Sequence, residues 1–189
     1  MNEYPFPDKK NSLSIFYSDY VFPKIDKEKV EAIFEDAWNT GEEQARLFLQ
    51  RYGGDEPLQM LKILEKNGVR IVRRDIDNVL GRQRYFCEFF SKKKELFIYT
   101  ESVHLWCESN HVSYEKGLNL ILCHEYFHYL EQIETGMISR RYQVPILKLG
   151  PIKVGKTGIP SLSEIAANAF AGVCWMYMEE KEDGVYKDD

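Results

Sequence analysis

Residues 117–133 read GLNLILCHEYFHYLEQI, an apolar helical stretch with two histidines and a glutamate near its centre. Helical residues four apart are separated by about 400°, so His124 and His128 project from nearly one face, one turn apart. That spacing lets two imidazoles grip one metal ion from one side. Glu125, rotated by about 100°, borders the same site and can hold a water beside the metal. The competing reading is a core helix with two incidental histidines.

Zinc in hydrolytic enzymes takes three protein ligands and keeps a fourth position open. One solution, H-E-x-x-H-x-x-G-x-x-H, needs glycine at 131 and histidine at 134; the chain has Glu131 and Glu134, so that class is excluded. Glu131 shares the histidine face but stands roughly 10 Å along the helix axis from His124, out of reach of a metal between the histidines. It is expected to be dispensable for metal binding. The other solution is a glutamate from a later helix, and Glu164 in SLSEIAANAFAG fits it. The run Ala166, Ala167, Ala169, Ala171 and Gly172 gives that helix a surface on which a second helix can approach closely. Asn168, one turn on, is expected to orient a ligand's free nitrogen. A second role stays open for Glu164: Ser161-x-x-Glu164 is also a capping box, in which the glutamate would bond back to its own helix start. The ligand role is preferred, because a bare pair of histidines lacks the usual third donor.

A rival pattern lies at 150–157, GPIKVGKT, the letters of a phosphate loop. Such a loop requires a helix that begins at its lysine. Here Lys156-Thr157 runs at once into Gly158-Ile159-Pro160, and proline removes an amide donor while disfavouring helix in the residue before it. A nucleotide hydrolase is therefore the weak alternative, and Lys148, Lys153 and Lys156 read as solvated loop charges.

The remaining organisation follows from periodicity. The first twenty-odd residues, rich in proline, tyrosine and serine, read as an irregular arm. Helical patterns follow at 27–38 and from Glu42 to Tyr52, stopped by Gly53-Gly54, and a short helix opens at Pro57 and ends near Asn67-Gly68. VRIVRRD, RQRYFCEFF and ELFIYT each suit a strand, with a hairpin through SKKKE between the last two. ELFIYT is a candidate for binding an extended substrate by edge pairing. A long helix from about Tyr114 to Ile133 is ended by Thr135-Gly136; residues 143–160 are loop-like; a last helix runs from about Leu162 to Glu179. The expected fold is α+β, mainly helical, with about three strands beside the H-E-x-x-H helix. Residues 1–68 form an arm and helices, 69–180 the metal-bearing core and 181–189 a flexible acidic tail, within one compact domain overall.

Composition narrows the function. A 44% hydrophobic and 14% aromatic content supports a real core. The net charge of −5 argues against nonspecific nucleic-acid binding, and Arg70, Arg73, Arg74 and Lys92 to Lys94 read as a solvated strand face and hairpin tip. There is no basic-then-apolar leader and no run approaching the roughly 18 residues of a membrane span. Cys87, Cys107, Cys123 and Cys174 contain no C-x-x-C pair and fit reduced thiols in a cytoplasmic protein.

HEYFH followed by E-x-x-A-N-x-F-A (Glu164, Ala167, Asn168, Phe170, Ala171) resembles the ImmA/IrrE family of zinc metallopeptidases, from about Val69 through the last helix. Family members usually carry glycine where this chain has Phe127, and often glutamate where it has Ala166. The resemblance implies Zn²⁺ on His124, His128 and Glu164, with Glu125 as the catalytic base of peptide hydrolysis. It also implies a helix-turn-helix repressor as the protein substrate. Tyr142, Tyr114, His104 and His111 are candidates for stabilising the oxyanion, and the sequence does not rank them. The alternative is a noncatalytic, metal-dependent module that grips a repressor without cutting it.

Overall fold

A computed structural model describes residues 4–54, 57–81, 83–149 and 152–185. The fold is α+β and mainly helical. Helix α1 (Lys9–Tyr17) occupies the stretch expected to be irregular, capped by Asp8, whose carboxylate accepts from Asn11 N at 2.7 Å. Only Ser12 and Phe16 of α1 are buried, so its apolar repeat is too short to show as a period.

The two helical patterns before Gly53 are one helix, α2 (Val30–Tyr52). Its buried face (Ile33, Phe34, Ala37, Trp38, Gly41, Ala45, Phe48) keeps three-and-four spacing throughout, which is why the helix does not break. Helix α3 (Met60–Lys66) starts three residues after Pro57, and Gly68, at φ 79°, turns the chain into β1 (Arg70–Arg74).

A short hairpin that the sequence reading did not contain comes next: β2 (Asn78–Leu80) and β3 (Gln83–Tyr85). RQRYFCEFF is therefore split, and β4 (Cys87–Phe90) belongs to a different sheet from β3. With β5 (Glu95–Tyr99) the main sheet has the order β1-β5-β4, parallel between β1 and β5 and antiparallel between β4 and β5. This corrects the edge-pairing expectation for ELFIYT. Its apolar residues Leu96 and Ile98 draw β5 to the centre, where both edges are hydrogen-bonded, so the free edges belong to β1 and β4.

Helix α4 (Thr100–Ser109) follows β5 directly and was also not foreseen. Helix α5 (Tyr114–Leu130), capped by Ser113, carries HEYFH; a π-helical turn (Glu131–Thr135) extends it to Gly136 at φ 72°. The main sheet lies beside this helix, with Phe89 of β4 edge-on to Tyr129 at 5.3 Å.

The 143–160 segment is not all loop. β6 (Leu147–Leu149) and β7 (Ile152–Val154) pair as a hairpin, and Val144 bridges Thr157 at its base. Helix α6 (Ser161–Val185) then runs well past the expected end at Glu179. The reason is Lys116 of α5, buried and bonded to both Glu179 and Glu182, which neutralises the acidic last turns. Of the acidic tail, residues 186–189 lie outside the described residues.

One hydrophobic cluster extends from Phe16 to Met178, so the N-terminal helices share the core of the rest. The alanine-rich face of α6 takes α2 at very close range: a Cβ on Gly41 would lie 2.0 Å from Ala166 O. All four cysteines are buried and free. No helix among the described residues is long and apolar enough to cross a membrane.

Candidate metal centre

Helix geometry alone sets His124 and His128 side by side, with Nε2 atoms 3.3 Å apart. Helix packing supplies the rest. The first turn of α6 brings the Glu164 carboxylate to 3.4 Å from His124 Nε2 and 3.5 Å from His128 Nε2. Donors held at about 2.0–2.1 Å by a tetrahedral ion stand about 3.3 Å from one another. The His124–His128 separation matches that edge length and one Glu164 oxygen faces each imidazole, so two imidazoles and one carboxylate make a donor set that fits zinc. His124, His128 and Glu164 are also the one group of three His, Cys, Asp or Glu side chains among the described residues close enough to share a metal.

The capping-box role for Glu164 is not taken up. Ser161 Oγ is buried without a hydrogen-bond partner among the described residues, and Ser161 N donates to Asp19 Oδ2 at 2.9 Å instead. Asp19, from the turn after α1, thus caps α6 and leaves Glu164 to the histidines. The hydrogen bond with His124 comes first among the effects that hold the Glu164 carboxyl down at about 2.

The two histidines are supported differently. His128 Nδ1 faces the fully buried Glu131 carboxylate at 3.1 Å. Burial by itself would lower the His128 pKa; the Glu131 bond and the charges of Glu164, Glu125 and Glu131 outweigh it and hold the ring above its ordinary value. His124 Nδ1, in contrast, is buried with no partner among the described residues. Asn168, expected to orient a ligand nitrogen, does not do so. Its side chain donates to Ser12 Oγ of α1 at 3.4 Å, because that face of α6 is turned toward α1. The His124 ring instead packs against Phe6 at 5.5 Å, and Phe6 packs on Trp106 at 5.3 Å. The aromatic and proline-rich YPFP at 4–7 was the only sequence signal for that contact.

Glu125 is half-buried beside the histidines. Burial, opposed by the two imidazoles and reinforced by Glu164 and Glu88, pushes its carboxyl above the ordinary value. Burial and then the Glu125 charge push up the thiol of Cys87 on β4, a strand whose Phe89 packs on Tyr129 of the same helix as Glu125.

Among the described residues the four oxyanion candidates make no direct contact, whether hydrogen bond, ion pair or ring stacking, with His124, His128 or Glu164. His104 stacks on Tyr114 at 4.1 Å, Tyr142 is near Asp36, and His111, at φ 56°, lines a cavity of about 580 Å³ with Tyr4 to Pro7. Phe127, where a glycine was the family expectation, is fully buried against Phe170 at 5.8 Å and stands edge-on to the His128 ring at 6.4 Å.

The phosphate-loop pattern finds no helix at its lysine. Lys156 is exposed after β7, and α6 begins only at Ser161; Gly150 and Pro151 lie outside the described residues. No protein-family model, no curated protein and no solved structure matches the chain.

Proposed function

We propose that the chain is a zinc-dependent metallopeptidase of ImmA/IrrE type, hydrolysing a peptide bond in a protein substrate. The observation that carries the reading is the convergence of His124, His128 and Glu164, one donor atom from each within 4.8 Å of the others, with Glu125 beside them. Zinc held by His124 Nε2, His128 Nε2 and the Glu164 carboxylate would supply Lewis acidity, lowering the pKa of water from about 15.7 toward about 7 and polarising the scissile carbonyl.

The chain's own groups do the proton work. Glu125, raised above the ordinary carboxylate range chiefly by burial, is a stronger base than an exposed glutamate. It takes the proton of the attacking water and passes it to the leaving amine. The edge of β4, unpaired among the described residues and on a strand packed against α5, offers a backbone on which an extended substrate can pair. A helix-turn-helix repressor is the proposed substrate, on the strength of the motif resemblance. A cytoplasmic setting is part of the proposal and agrees with four unpaired cysteines.

The test is Glu125→Gln, which removes the base and spares the three ligands. Metal analysis is expected to find about one zinc per chain in both forms, and cleavage of a repressor encoded beside the gene only in the wild type. Zinc with no cleavage by either form would favour a noncatalytic binding module. No zinc in the folded wild type would overturn the metal reading.

A further inference from the structure

We propose that Glu131 is the positioning residue of this centre: its carboxylate selects the His128 tautomer that frees Nε2 and ties that imidazole to the helix carrying Glu164. The inference rests on the reading of His124, His128 and Glu164 as metal ligands.

Three hydrogen bonds converge on this side chain, which is fully buried. Oε1 accepts from Ile138 N at 2.8 Å and from Ser163 Oγ at 2.6 Å, while Oε2 lies 3.1 Å from His128 Nδ1. A carboxylate only accepts, so Nδ1 carries the proton. The neutral ring then presents Nε2 as a lone pair, and that atom is the one facing His124 and Glu164.

The other oxygen acts on the second helix. Ser163 immediately precedes Glu164, and its hydroxyl, besides donating to Glu131, accepts from Ser139 N at 3.2 Å. The first turn of α6 is thereby pinned to the end of α5 through Glu131. One buried group therefore sets the ring of one ligand and the helical turn of another. Among the described residues His124 has no equivalent, since none of them partners its Nδ1.

Glu131→Gln separates this role from a merely structural one. The amide oxygen can still accept from Ile138 N and Ser163 Oγ. It cannot turn away, because the Ile138 N–H would then face an NH₂ group. The NH₂ group therefore points at His128, Nδ1 must accept, and the proton moves to Nε2, where it blocks coordination. The expected result is a metal-free variant that melts close to the wild type but binds zinc about 10–100-fold more weakly. In ¹⁵N–¹H long-range spectra of metal-free protein, taken where His128 is neutral, the wild type should show the Nδ1–H tautomer and the variant the Nε2–H tautomer.

Equal zinc affinity in the two proteins overturns the proposal. So does an Nε2–H tautomer in the wild type, a measurement that stands even if the variant fails to fold. Absence of zinc binding by the wild type would instead strike at the metal reading itself.

Discussion

Glu164 and Asp19 divide between them two roles that the Ser161-x-x-Glu164 pattern offered to one residue. Replacing each therefore has a different consequence. Glu164→Ala removes a proposed ligand and should weaken zinc binding more than about 100-fold, beyond the roughly 10–100-fold cost of losing a residue that only supports a ligand. Asp19→Ala removes a cap and should cost about 0.5–2 kcal/mol of stability while zinc affinity holds. Zinc titration and urea denaturation of both variants read the two effects separately. His128 adds a pH dependence. Its pKa lies above 6.5 because the Glu131 bond and the nearby carboxylates outweigh burial, and zinc must displace that proton. Zinc affinity should therefore rise as pH increases through the His128 pKa, and fall below it. Calorimetric titration at a pH below the ordinary histidine value and at one well above it checks the sign.

Element packing is tightest where α2 crosses α6. At Gly41 an added methyl would meet Ala166 O at 2.0 Å and Ala169 Cβ at 2.9 Å, and neither partner is a flexible side-chain tip. Gly41→Ala must push the helices apart and should destabilise by about 1–3 kcal/mol, measurable as a lower denaturation midpoint. Because α6 carries Glu164, zinc affinity should fall with it. Lys156→Ala is the contrasting case. Its side chain is exposed on the segment after β7, with no helix beginning there, so zinc binding and hydrolysis should be unchanged. Tight nucleotide binding that this substitution destroys would contradict the assignment.

For the whole molecule, the metal should act as a cross-link between α5 and α6. A ligand that binds only the folded state stabilises it by about 2.7 kcal/mol at a hundredfold excess over Kd. Adding zinc should accordingly raise the melting temperature, a chelator should reverse the rise, and Glu164→Ala should abolish it. Scanning calorimetry with and without zinc is the measurement. Lys116 makes a second, metal-independent tie between the same helices, through Glu179 and Glu182, so the metal-free protein is expected to stay folded.

The pairing of His124 with His128 was legible in the letters because helix periodicity sets it without reference to the rest of the chain. So were the long helices α2, α5 and α6 and the three strands of the main sheet, each with a sustained apolar pattern. Short elements were not. Helix α1 buries only Ser12 and Phe16, and the β2–β3 hairpin buries none of its residues fully, so neither shows an apolar period. The same limit governs the site. Glu131 looked dispensable when only its distance along the helix was considered, yet the packing of α6 and the 137–139 turn around it gives it three partners. Asn168 looked like an orienter because it lies one turn after Glu164, but the side of α6 it occupies faces α1. Residues four apart on one helix meet by local geometry. Which side chain another helix brings to them depends on how both bury their apolar faces, and the tertiary structure decides that.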